Sequence, residues 1–126
     1  METTKKKVLI IEDETPLLEA LTDKIEQAGH TVLQAKNGED GLDTALKHKP
    51  DLILLDILLP KKNGLEVLEE LRQNAWGKTV KVIMLTNVDD WENTKKAVTY
   101  DVRDYLVKSD WKISDVIKII NKKLSQ

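Results

Sequence analysis

Three carboxylates stand at the ends of two apolar runs. Asp56 closes Asp51-Leu52-Ile53-Leu54-Leu55-Asp56, and Glu12-Asp13 follows Val8-Leu9-Ile10-Ile11. Each run reads as a buried strand. In a parallel sheet both ends open on one edge, so Glu12, Asp13 and Asp56 are expected to converge in one crevice. Acids held that close raise one another's pKa unless a cation is shared between them, and hard oxygen ligands select magnesium or calcium. The fourth apolar run ends at Thr86 and the fifth at Lys108. Acids, a hydroxyl and an ammonium form a set suited to phosphoryl transfer: a carboxylate nucleophile, a metal, and donors for the phosphoryl oxygens.

These side chains need a frame to bring them together. Five runs rich in Ile, Leu and Val alternate with five segments of helical pattern, the signature of an α/β unit with a parallel sheet. The expected strands are Lys7 to Ile11, Thr31 to Ala35, Leu52 to Leu55, Lys81 to Leu85 and Asp104 to Val107. The first and third are apolar throughout, as strands covered on both faces should be, and are expected at the centre. The first helix has Pro16 in its first turn, Asp13 or Thr15 as cap, Leu18, Leu21, Ile25 and Ala28 on its apolar face, and Gly29 past its end. The second follows Asn37-Gly38, carries Leu42, Ala45 and Leu46, and stops before Pro50. Leu65, Leu68 and Leu71 mark the third; Ile113, Val116, Ile117, Ile120 and Leu124 mark the last, with Ser109 or Asp110 as cap. The fourth, about Asp89 to Tyr100, has few apolar residues and is expected to dock weakly.

The chain has 126 residues, room for one domain and one core, so residues 1–126 read as a single unit. Its formal charge is −2, from 20 Lys plus Arg against 22 Asp plus Glu, which provides no global basic field for nucleic acid or an anionic membrane. No apolar run is long enough to span a bilayer and no signal-peptide pattern opens the chain, so a cytoplasmic location is expected. The absence of cysteine excludes disulfides and thiolate chemistry.

With these features in place the chain closely resembles the receiver domain of two-component response regulators, over nearly its whole length. The resemblance rests on Glu12-Asp13 after its strand, on Asp56-Ile-Leu-Leu-Pro60-Lys-Lys-Asn-Gly64, on Leu85-Thr86, and on Tyr105-Leu-Val-Lys108. It implies a flavodoxin-like, doubly wound five-stranded parallel sheet of order 2-1-3-4-5 with five helices. It further implies that Asp56 accepts a phosphoryl group from a histidine kinase, a histidine phosphotransfer protein or a small donor such as acetyl phosphate. Asp13, Asp56 and the backbone carbonyl of Leu58 would hold Mg²⁺, with Glu12 reaching it through water. Lys108 would pair with the phosphoryl oxygens. Thr86 would turn inward and Tyr105 follow, changing the face of the fourth helix, fifth strand and fifth helix, through which a partner or a weak dimer would form. Ser109 replaces the usual proline after the lysine, and Asn87 a small residue after the hydroxyl. Leu58 and Val88 flank the site, and neither can orient a water, so self-dephosphorylation is expected to be slow.

Taken singly, Asp13 is a helix cap, Thr86 a strand-end hydroxyl and Lys108 a solvated lysine; only their joint placement carries the function. Trp76 is expected to shield a loop, while Trp91 and Trp111 open helices near the partner face. His30, His48 and Lys5-Lys6-Lys7 receive no role. A dehalogenase-like phosphatase would need an acid at Leu58, and a flavin-binding module would leave the acids and Lys108 unexplained. A receiver-like module that works without phosphorylation, and the receiver part of a longer DNA-binding regulator, are the alternatives to a self-contained switch.

Overall fold

The computed structural model describes residues 5–86, 92, 95–96, 99–100, 102, 104–108 and 112–125. Five parallel strands, β1 (Lys7–Ile11), β2 (Thr31–Ala35), β3 (Leu52–Asp56), β4 (Lys81–Thr86) and β5 (Asp104–Val107), form one sheet of order β2-β1-β3-β4-β5. The flavodoxin-like order is as expected. The order in which successive strands are laid down reverses between β1 and β3, and that switch point opens a crevice at their carboxyl ends.

Period-two alternation splits the sheet residues between two cores. Val8, Ile10, Leu52, Leu54, Ile83 and Leu85 pack with helix α1 (Thr15–Gln27) and the C-terminal helix (Ile113–Leu124). Leu9, Ile11, Ile53, Leu55, Val82 and Met84 pack on the other face with α2 (Gly38–His48) and α3 (Gly64–Gln73). Of the expected apolar helix positions all but Ala28 and Ile113 pack in these cores; Ala28 is the C-cap of α1, past its last turn, and Val67 on α3 adds a buried residue that the spacing of leucines left out. Trp76 is half-buried against the α2–α3 core.

Among the described residues four helices have bounds. Glu92, Lys95 and Lys96 are helical within the expected fourth helix, but most of that segment, with Asn87, Val88 and Trp91, lies outside the described residues. So do Ser109, Asp110 and Trp111.

Local boundaries depart from expectation in four places. β3 and β4 each run one residue further, because Asp56 pairs with Leu85 and Thr86 with Val107; the acid and the hydroxyl sit in the sheet itself. The N-cap of α1 is Glu14, not Asp13 or Thr15, and no side chain caps it. The N-cap of the C-terminal helix is Lys112, beyond Ser109 and Asp110, again without a side-chain cap. By contrast α3 opens with a full capping box: Asn63 Oδ1 accepts from Glu66 N and Glu66 Oε1 from Asn63 N.

Candidate functional site

The carboxyl ends of β1, β3, β4 and β5 carry Glu12-Asp13, Asp56, Thr86 and Lys108. Asp56 is 3 % exposed and Glu12 fully buried, whereas Asp13 is exposed at the rim. One oxygen from each of the three lies within 4.8 Å of the others. Lys108 crosses from the end of β5 into this group. Its Nζ lies 2.8 Å from Glu12 Oε1, 3.0 Å from Asp56 Oδ2 and 3.0 Å from Glu14 Oε1. Its backbone N–H donates to Thr86 O at 2.7 Å, which anchors the lysine to the end of β4.

The loop after Asp56 is held tightly. Leu58 N–H donates to Asp56 Oδ1 at 3.3 Å, and Gly64 N–H donates to Ile57 O at 2.7 Å. A Cβ on Gly64 would lie 2.2 Å from the Asp56 carbonyl oxygen, so only glycine lets α3 begin this close to the strand end. The Leu58 side chain is 52 % exposed beside the acids.

Burial sets the electrostatics. Loss of solvent raises the Glu12 carboxyl from its ordinary 4.5 to about 7, against the opposing pull of Lys108 and the Glu14 backbone N–H; the Asp56 charge adds to the rise. Burial likewise raises Asp56, offset by Lys108. For Lys108 burial works downward, but its ion pairs with Glu12, Glu14 and Asp56 outweigh it and hold the ammonium above its usual range. One cation thus serves several acids, with incomplete compensation.

Glu12 Oε1 shows the deficit directly: it is buried and, although beside the ammonium, has no aligned hydrogen bond. A buried acceptor of this kind, within reach of two further carboxylates, fits a hard divalent cation.

Thr86 is 3 % exposed at the end of β4. Tyr105 is half-buried against the core, opposite Met84, and its hydroxyl donates to Val102 O at 3.3 Å. The histidines stand apart: His30 Nε2 lies 3.0 Å from Asn121 Oδ1, and His48 lends its carbonyl to Lys7 Nζ at 2.8 Å. The structure brings Glu12, Asp13, Asp56 and Lys108 together, as the shared strand edge implies, and adds Glu14, which the sequence places in the same acidic run but gives no role of its own, its partner being 94 residues away.

The comparisons with known proteins agree with this geometry. Residues 8–121 match the family model for the response regulator receiver domain. The chain is 35 % identical over 102 residues to protein PilH of Pseudomonas aeruginosa, covering 81 % of this chain and 84 % of that one. It is 36 % identical over 103 residues to the alkaline phosphatase synthesis transcriptional regulatory protein PhoP of Bacillus subtilis, covering 82 % of this chain but 42 % of PhoP. It therefore spans less than half the length of some curated relatives. A putative response regulator from Chloroflexus aurantiacus superposes with a TM-score of 0.88 over 98 % of this chain and 100 % of that one, at 27 % identity. The sheet order, the clustered acids with their lysine and these matches together establish that the chain belongs to the response regulator receiver domain family.

Proposed function

We propose that the domain is a phosphorylation-dependent signalling switch in which Asp56 is the phosphoacceptor. The observation that carries this reading is a buried carboxylate at the end of the central β3, 3.0 Å from the Lys108 ammonium and within 4.8 Å of Glu12 and Asp13 oxygens. In the reaction an Asp56 oxygen bonds to phosphorus as the bond from phosphorus to the donor's imidazole nitrogen breaks, and the electron pair leaves with that nitrogen. The donor would be a histidine kinase or a histidine phosphotransfer protein, in keeping with a family of two-component regulators. A small anhydride such as acetyl phosphate would serve in its place.

Asp13, Asp56 and the Leu58 carbonyl would hold Mg²⁺, with Glu12 reaching it through water. When bound, the ion neutralises charge on the acids and on the phosphoryl oxygens. Lys108 pairs with a phosphoryl oxygen. The Thr86 hydroxyl donates to another, and Tyr105 follows inward, giving up a long 3.3 Å bond to Val102 O. Taking such a switch from 1:99 to 99:1 requires about 5.5 kcal/mol of differential interaction, within reach of a few charge-assisted hydrogen bonds of roughly 1.5–3 kcal/mol each. The altered face would comprise the fourth helix, β5 and the C-terminal helix, with a protein target or a weak dimer as its reader. A cytoplasmic setting follows from a kinase partner; among the described residues no helix is long and apolar enough to cross a membrane.

Beyond accepting the group, the domain would catalyse little. The exposed Leu58 side chain has nothing with which to orient a water, so the acyl phosphate should persist for minutes or longer; a half-life of seconds would refute that part.

Intact mass after incubation with acetyl phosphate tests the assignment. One phosphoryl group should be gained in the wild type only with Mg²⁺, and none in Asp56→Asn. A wild type that gains nothing would leave a receiver-fold module working without phosphorylation.

A further inference from the structure

We infer that Glu14 is a competing ligand for Lys108 that restrains phosphoryl transfer to Asp56, a positioning residue that acts through the lysine without touching the reacting atoms. This rests on the phosphoacceptor reading above. Glu14 occupies the N-cap of α1, where an acid's side chain would ordinarily accept from the first-turn N–H groups. It does not cap. Its Oε1 is instead 3.0 Å from Lys108 Nζ, while its own N–H donates to Glu12 Oε2 at 3.0 Å and its carbonyl accepts from Leu18 N at 2.9 Å. The backbone is thus fixed by the acid pocket and the helix, and the side chain is turned across to the lysine.

An ammonium has three donors, and Lys108 faces three carboxylates. Glu12 and Asp56 are buried and cannot leave. Glu14 has a side chain 61 % exposed and can rotate into water, so its link to Lys108 is screened and weak, and it is the one the lysine can give up. As an Asp56 oxygen bonds to phosphorus and acetate departs from acetyl phosphate with its electron pair, Lys108 must turn a donor to the incoming oxygens. The donor held by Glu14 is the available one. Until it is released, the lysine's charge is partly spent.

The test measures the rate of phosphorylation by acetyl phosphate at saturating Mg²⁺, by intact mass, for the wild type, Glu14→Gln, Glu19→Gln, Lys108→Met and the double variant Glu14→Gln with Lys108→Met. Glu19 is exposed on the same helix and controls for loss of a negative charge in general. Glu14→Gln should be about 1.5- to fivefold faster than wild type, the span of an exposed ion pair. Glu19→Gln should be near wild type, and Glu14→Gln should add no more to Lys108→Met than Glu19→Gln adds to wild type. If Glu14→Gln is no faster than Glu19→Gln, or accelerates Lys108→Met equally, competition for the lysine is wrong while the phosphoacceptor reading stands. If the wild type gains no phosphoryl group, both fall.

Discussion

Replacing Glu12 with glutamine should stabilise the cation-free domain above neutral pH, although it removes a residue from the centre of the site. Burial raises the folded-state pKa of Glu12 from 4.5 to about 7. The folded protein therefore binds this proton more tightly than the unfolded chain. The resulting stability is fully present below pH 4.5 and is lost as pH rises through 7. At about 1.4 kcal/mol per tenfold change in proton affinity, the whole effect is about 3 kcal/mol. Glutamine does not titrate, and it retains an acceptor for the Glu14 N–H that Glu12 Oε2 now satisfies. Asp56 titrates in both proteins, and removing the neighbouring charge eases its ionisation in the variant, which acts with the same sign. In EDTA, the stability of Glu12→Gln relative to wild type should thus rise by about 2–3 kcal/mol between pH 5 and pH 8. With a urea m-value of about 1–3 kcal/mol per M, the gap between midpoints should move by about 0.7–3 M. At pH 8 with Mg²⁺ at a hundred times its dissociation constant, wild type should regain about 2.7 kcal/mol and the variant less. A destabilisation of Glu12→Gln that is the same at pH 5 and pH 8 in EDTA would refute the reasoning, since Glu12 would then be ionised throughout and its pairing with Lys108 would outweigh burial.

Three further outcomes follow from the packing. Gly64→Ala places a Cβ 2.2 Å from the Asp56 carbonyl oxygen and 2.8 Å from Ile57 Cα, so the loop must shift; urea unfolding should show a loss of about 1–3 kcal/mol, and acetyl phosphate labelling should slow. Arg72 donates to the carbonyls of Tyr100, Gly77 and Val80 at 2.7–2.9 Å; Arg72→Met strands these acceptors and should cost about 2–3 kcal/mol by chemical denaturation. Leu54 is fully buried on the central β3, and Leu54→Ala should cost about 2–5 kcal/mol, with an unchanged m-value if packing alone is lost.

What the sequence disclosed about the site follows from topology. In a parallel sheet the strand ends share an edge, so locating where four apolar runs stop is enough to bring Glu12, Asp13, Asp56, Thr86 and Lys108 together. Local pairing was less legible. The extension of β3 to Asp56 and of β4 to Thr86 depends on partners Leu85 and Val107 in neighbouring strands, which no single window contains. Capping rules failed at α1 because they consider only nearby backbone donors. Glu14 sits where such a rule seeks a cap, yet its side chain answers to an ammonium 94 residues away. Arg72 was hidden for the same reason: its carbonyl partners lie in loops and turns beyond α3.

The arrangement around Lys108 explains why this pocket should need a cation before it can accept a phosphoryl group. Glu12, Glu14 and Asp56 all lie within 3.0 Å of one ammonium, and Asp13 stands at the rim beside them. Burial, with the Asp56 charge adding to it, raises the Glu12 carboxyl, and Glu12 Oε1 is buried without an aligned hydrogen bond. Converting Asp56 to its phosphorylated form would bring the group to about −1.5 to −2 in charge at that position alone, deepening the same deficit. Protonating Glu12 relieves it only below neutral pH, and it leaves a hydroxyl where a cation ligand is needed. A divalent ion relieves it at any pH above that and leaves the carboxylates ionised. Glu14 then becomes the variable element, because its side chain can swing into water while Glu12 cannot. The readiness of the domain to be phosphorylated would therefore be set by two contributions that separate experimentally: cation occupancy, read from the Mg²⁺ dependence, and release of Lys108, read from Glu14→Gln at saturating Mg²⁺.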